Sequence, residues 1–530
     1  MSDIEFLILL LGAVAVLAQL ARITNVPYPI FLVLGGLAIG LAPGLPKIEL
    51  APEVIFLVFL PPLLNSAAFT ASPRDLRAHL RPIAMLAVGL VLATTLAVAA
   101  VAHFVVGLPW AAAFVLGAVL APTDPVAAEA IFRRLGVPAT VSTVVGGESL
   151  VNDGSALVVY RVAVVAVVSG AFSATQAGLN FVVVSAGGLL VGLVFARLML
   201  PLWARLKDAL ILIMTSVLLP YVVYILAEEV LHLSGILAIV SYGLYQGWHA
   251  PRLFPDASTR LQALSFWSVL TFVLESLLFI LVGLQFTSIL EGLDAGSTWG
   301  TLLLYAGLVY AAVALTRLVW FFTTPYLHPV FDRLLHSTYL RAPWQERLVM
   351  SWSGMRGAVS LAAALAVPLT VQSGAPFPGR DQILFLTYGV ILATLVLQGF
   401  TLPPLIKSLR LKGDGEDSKI MELEARLHAA RAALEKLDLL CAVERVPPHS
   451  QQQMRESYEQ RIRRYTAGIE AGGATEEYNQ DSSAWRNWRR QLIAAEREAI
   501  VGLRDAGAIS PEIMRRIQHD LDLEESRIGG

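Results

Sequence analysis

The chain is poor in charge and almost without cysteine. Only 15% of its 530 residues are Asp, Glu, Lys or Arg, against about 25% in a soluble globular chain. Hydrophobic residues make up 56%, and the mean hydropathy is +0.65. Such an excess over hundreds of residues is hard to hide in one aqueous core, so the bilayer is the expected solvent. The single cysteine, Cys441, excludes an intrachain disulfide and any Cys-rich metal site. Residues 1–5 lack a basic n-region, so the apolar run 6–20 reads as a first span and not as a cleavable signal. The apolar segments hold no His-Glu-x-x-His, no Gly-x-Ser-x-Gly and no Cys-His pair, which argues against a membrane-embedded enzyme. No cofactor and no nucleic-acid partner is expected.

What is present is a series of apolar runs. Residues 1–410 break into about thirteen segments, each long enough to cross ~30 Å of hydrocarbon as a helix. No long run alternates as a barrel strand would, so the expected fold is an all-α polytopic membrane protein. Basic residues gather at alternate junctions. These hold Arg22; Arg74, Arg77 and Arg81; Arg133 and Arg134; Arg205 and Lys207; Arg252 and Arg260; Arg333, Arg341 and Arg347; and Lys407, Arg410 and Lys412. The junctions between them hold Lys47, the pair Glu228 and Glu229, Glu291 with Asp294, and Arg380. The positive-inside rule then puts the N-terminus outside and the C-terminal tail in the cytoplasm of the inner (plasma) membrane.

Composition shifts at Lys412, dividing the chain into a membrane domain, 1–410, and a polar tail, 411–530. Ile420, Leu423, Leu427, Ala430, Leu434 and Leu437 follow the 3-4 spacing of a coiled-coil seam or a bundle face. Pro447 and Pro448 end that helix. Further helices are expected over 451–470 and 483–505, and a fourth opens at Ser510-Pro511-Glu512. Tyr478, Trp485 and Trp488 supply apolar anchors. The tail reads as a small bundle packing on itself or on its copy, or as a regulatory domain. No residue in it names a ligand.

Ionisable residues inside spans are costly and mark functional candidates. The densest group is Gly146-Gly147-Glu148-Ser149-Leu150-Val151-Asn152-Asp153-Gly154. On a helix, Glu148 and Asn152 are four apart, as are Ser149 and Asp153, so two carboxylates, a hydroxyl and an amide share one broad face. These hard oxygen ligands suit an alkali cation. In Ala121-Pro122-Thr123-Asp124-Pro125-Val126, two prolines remove backbone donors and interrupt the helix beside an acid. Freed carbonyls and a half-helix C-terminus attract cations, and Asp124 both caps the second half and tunes the site. A second stretch, Ser351-Trp352-Ser353-Gly354-Met355-Arg356-Gly357-Ala358-Val359-Ser360, is also Gly-interrupted and carries a buried arginine. Each break falls fifth in a block of six spans, the pattern of an inverted-repeat transporter. An unpaired guanidinium there would cost several kcal/mol, so Glu148 is the expected partner of Arg356, leaving Asp153 free. Glu275 and Arg317 form a second expected, structural pair. Arg161, two turns past Asp153, reads as a snorkelling residue or as part of an exit path. His103, His232 and His249 lie near span ends.

Together, Phe59-Leu60-Pro61-Pro62-Leu63-Leu64, Thr123-Asp124-Pro125, Gly147-Glu148-Ser149 through Asn152-Asp153, and Gly354-Met355-Arg356-Gly357-Ala358-Val359 resemble the cation/proton antiporter family. That family holds the bacterial NhaP-type and animal NHE-type sodium/proton exchangers, and the resemblance covers about residues 5–410. It implies thirteen helices in two inverted repeats with crossed, unwound segments, a homodimer in the lipid membrane, and elevator-like motion. It implies that Asp153 binds cation and proton, with sodium at Asp153, Thr123 and Ser149, and that Thr123, Asp124, Ser149 and Asn152 help ligate the cation or order the site. Glu148 and Arg356 match a structural ion pair of the family. Asn152 before Asp153, where the electrogenic branch carries two acids, implies one-for-one exchange. Relatives often carry an acid just after Pro-Pro-Leu-Leu; here the chain reads Asn65-Ser66-Ala67, which bears on ion preference and pH dependence. Lithium and potassium use the same oxygen ligands, so potassium/proton exchange stays open, as does proton-coupled symport of a small solute.

Overall fold

The computed structural model describes residues 3–24, 26–42, 51–206, 208–253, 257–291, 298–335, 342–411, 413, 415–443, 447–471, 476–505 and 511–529. Lys47, Lys207, Asp294, Arg341, Lys412 and Ser510 lie outside the described residues, as do the side chains of Arg252, Glu291, Arg333, Tyr478, Trp485 and Glu512. The chain divides into two compact units, Met1–Lys412 and Gly413–Gly530.

The first unit is built of helices. Among the described residues, eight are long and apolar enough to cross a bilayer: Pro52–Thr70, Leu80–Val106, Ala139–Ser169, Ala174–Arg205, Ala209–Val230, Ser258–Leu290, Trp299–Thr324 and Arg380–Ser408. Shorter apolar helices cover Ile8–Thr24, Tyr28–Gly40 and Trp110–Leu120. Local chemistry sets many of the starts. Pro27, Pro109, Pro138 and Pro343 stand immediately before helices, where their extended backbone ends the preceding loop. Asp208 caps the next helix by accepting from the amides of Leu210 at 2.9 Å and Ile211 at 3.1 Å.

The outward faces are apolar. On the Ala174–Arg205 helix, Leu179, Val182, Val183, Leu190 and Leu198 are each at least 60% exposed. Apolar surface on that scale is stable facing lipid or another protein, not water. Inside, helices approach closely. Gly36 on Tyr28–Gly40 and Gly283 on Ala257–Glu291 face each other, and a side chain on either would collide with the backbone of the other helix. Such small-residue contacts give membrane helices their packing energy.

The second unit consists of helices Gly415–Val443, Pro448–Glu470, Glu476–Asp505 and Pro511–Gly529. Ala430 and Leu437 of the expected seam are buried, and Leu423 packs on Gly468 of the following helix. That face therefore meets a helix of its own chain, as a bundle face does. Arg497 joins the last two helices by ion pairs to Asp522 at 2.6 Å and Glu525 at 2.8 Å.

Candidate functional site

Two broken helices meet inside the first unit. One runs as Trp110–Leu120 and Val126–Leu135, separated by residues 121–125. The other runs as Trp344–Trp352 and Ala358–Leu365, separated by residues 353–357. Pro122 and Pro125 supply no amide hydrogen, which explains the first gap. The gaps are bonded to each other, because the Asp124 amide donates to the Met355 carbonyl at 2.8 Å. The Asp124 carboxylate accepts from the Val126 amide at 3.0 Å, capping the second half-helix. Gly357 lies directly against that carboxylate, and any β-carbon there would overlap it.

The Ala139–Ser169 helix crosses behind the first gap and carries Glu148, Ser149, Asn152 and Asp153, all buried. Ser149 Oγ donates to the Thr123 carbonyl at 2.8 Å. Asn152 Nδ2 donates to Thr123 Oγ1 at 2.8 Å, and that hydroxyl lies 3.5 Å from Glu148 Oε1. Thr123 is thus the knot between helix and gap. No hydrogen bond from the described residues reaches the Asp153 carboxylate, which is 5% exposed. It faces a cavity of about 590 Å³ shared with Thr123, Asp124, Ser149, Glu129 and Glu275. A second cavity of about 1200 Å³ shares Glu129, Arg133 and Glu275 with the first and extends past Asn65, Ser66, Arg260 and Trp267.

Both expected ion pairs need correction. Glu148 is held not by Arg356 but by Arg317, through a bidentate pair whose Nη2–Oε2 arm measures 2.7 Å. Arg317 also donates to the Met350 carbonyl, from Nη2 at 3.1 Å and Nε at 3.3 Å. Arg356, 1% exposed, is occupied with backbone. Its Nε donates to Leu120 O at 3.1 Å, its Nη1 to Gly354 O, and its amide to Thr394 Oγ1 at 3.0 Å. A cation at the end of the Trp110–Leu120 half-helix satisfies a carbonyl that the break leaves without an amide partner. Arg317 is thus not the partner of Glu275, whose carboxylate accepts from the Tyr28 hydroxyl instead.

Other candidates fall elsewhere. Arg161 pairs with Glu228 and so is not an isolated snorkelling side chain. His103 contacts the Leu108 carbonyl at 2.8 Å and stacks on Trp110, and His249 contacts the Tyr245 carbonyl at 2.8 Å. Sequence reasoning gave no role to Tyr28 or Ser360, although both line these cavities. The only signal available was a polar residue within an apolar run.

Discontinuous helices joined at their gaps beside a buried acid are the architecture of a secondary transporter. The transmembrane sodium/hydrogen exchanger family profile matches residues 7–408. The chain belongs to the sodium/hydrogen exchanger family. It is 36% identical to the uncharacterized Na(+)/H(+) exchanger Rv2287 of Mycobacterium tuberculosis, over 98% of this chain and 95% of that one. It is 35% identical to a sodium, potassium, lithium and rubidium/H(+) antiporter of Bacillus subtilis, over 76% of this chain and 61% of the relative. Its fold is similar to that of the sodium proton antiporter MjNhaP1 from Methanocaldococcus jannaschii, with a TM-score of 0.60 and 22% identity, covering 77% of this chain and 98% of that one.

Proposed function

We propose that this protein exchanges a monovalent cation, sodium first, for protons, one for one, by competition of the two at Asp153. The observation that carries this reading is the Asp153 carboxylate, buried, without a hydrogen-bond donor among the described residues, and open to the cavity beside Thr123, Asp124 and Ser149. A bare charge in a low-dielectric setting is costly, so either a proton or a cation must neutralise it before the site can pass apolar walls. The empty, charged site does not cross, and the two fluxes are coupled. Hydroxyl and carboxylate oxygens at Thr123, Ser149 and Asp153 suit sodium. Asn152 and Asp124 hold the frame, and the Glu148–Arg317 pair fixes the helix that bears the acid.

The gaps and the Ala139–Ser169 helix are tied through Thr123 and through the bond from Asp124 to Met355, which favours their moving as one block in an elevator-like step. The same reading has thirteen crossings in two inverted repeats, a homodimer, an N-terminus outside and a regulatory tail in the cytoplasm. Potassium exchange is the second reading, favoured by the range of ions in the name of the Bacillus subtilis relative.

The test is proton flux in proteoliposomes under a pH gradient, with sodium, lithium, potassium or choline added in turn. Wild type should dissipate the gradient with sodium and lithium, and Asp153→Asn should not. Coupled exchange surviving in Asp153→Asn would end the competition mechanism. A response to potassium alone would keep the mechanism and change the ion.

A further inference from the structure

A buried helical serine ordinarily turns its hydroxyl back onto a carbonyl three or four residues earlier. Several buried serines around the site do so. Ser351 Oγ donates to Leu348 O at 2.8 Å, Ser353 Oγ to Met350 O at 2.9 Å, and Ser155 Oγ to Asn152 O at 3.0 Å. Ser149, another hydroxyl on the cavity wall, donates to Thr123 O at 2.8 Å. Ser360 departs from this pattern. It is 1% exposed, and its hydroxyl has no hydrogen-bond partner among the described residues. It sits in the first turn of the Ala358–Leu365 half-helix, on the wall of the cavity that holds Asp153, Asp124 and Thr123. A buried hydroxyl left without a partner carries a desolvation cost that a ligand oxygen recovers when its cation arrives.

We propose that Ser360 is a further ligand for the transported cation, contributed by the second broken helix, and that it takes part in choosing among alkali ions. This rests on the exchange reading above. Ser149 and Asp153 come from the Ala139–Ser169 helix and Thr123 from the first gap, so without Ser360 the second broken helix would give the cation only backbone and apolar surface. A hydroxyl oxygen is a hard, neutral ligand. It strengthens cation binding without adding a charge that a proton would have to match. Proton binding at Asp153 has no need of it, so loss of Ser360 weakens the cation and spares the proton.

The experiment compares wild type, Ser360→Ala and Ser360→Thr in proteoliposomes, titrating sodium, lithium and potassium at fixed pH. Ser360→Ala should raise the KM for sodium about fivefold, the scale of one lost polar contact, with the maximal rate retained and the ratio of sodium to potassium KM altered. Ser360→Thr keeps the hydroxyl and should restore the sodium KM. A second readout is the sodium concentration at half-maximal thermal stabilisation of the detergent-solubilised protein, which should shift by the same factor in Ser360→Ala. An unmoved KM and an unmoved stabilisation midpoint in Ser360→Ala would overturn the inference while wild type still exchanges sodium. So would a fall in maximal rate at constant KM, which marks a packing role. A wild type inert to every cation would instead bring down the exchange reading.

Discussion

The two helix interruptions share a shape and differ in what they do with the polar groups they expose. Residues 353–357 are all buried, and Arg356 closes the gap from within by bonding to Leu120 O and Gly354 O. Residues 122–125 line the cavity, with Asp124 and Pro125 only partly covered. One gap is buried and braced by a permanent cation, with Gly357 at its end reaching the cavity wall; the other is open and presents its oxygens to the cavity. An arginine in a break therefore need not balance an acid in the site. Here it serves the half-helix carbonyls, and the acid Glu148 is balanced by Arg317 from the Trp299–Leu335 helix.

That contrast can be broken most sharply at Arg317. Arg317→Ala leaves the Glu148 charge buried without a partner, since each is 1% exposed, and should cost about 3–5 kcal/mol of stability. Thermal unfolding in detergent measures it, and the double variant Arg317→Met with Glu148→Met should recover much of the loss. If the double variant were as unstable as the single one, the pair would not be the brace described. Thr123→Val comes next. It strands the Asn152 amide and should cost about 1–3 kcal/mol, with a raised sodium KM that no change at Arg356 reproduces. An equal KM shift on loosening Arg356 to Lys would erase the distinction between the open and the buried gap. The smallest effect belongs at the rim. Arg133 is 81% exposed and pairs with Glu129 one turn away at 3.0 Å, so Arg133→Ala should move the unfolding free energy by about 0–1 kcal/mol.

Where chain chemistry acts locally, the sequence was readable. Pro122 and Pro125 remove amides wherever the chain goes, and Gly354 and Gly357 mark the second gap in the same way. The 3-4 spacing from Ile420 to Leu437 was enough to find the inner face of a tail helix. Spacing did not say whether that face meets its own chain or a copy, because both present the same apolar stripe. The buried arginines show a second limit. Hydropathy gives the depth of Arg317 and Arg356 but not the direction in which each guanidinium points, and the partner of Glu148 depends on direction. Tyr28 and Glu275 are 247 residues apart, so their bond exists only once two distant helices pack through Gly36 and Gly283. Ser360 was hidden for a different reason: what marks it is a bond it does not make.

The bond from the Asp124 amide to the Met355 carbonyl contains no side-chain atom. Substitution at either position leaves it in place, with proline at 124 the exception because it lacks the hydrogen. The registration of the two half-helix pairs is therefore insulated from ordinary mutation. Side chains around the ion can drift, and preferences among ions can change, while the frame that carries them stays aligned.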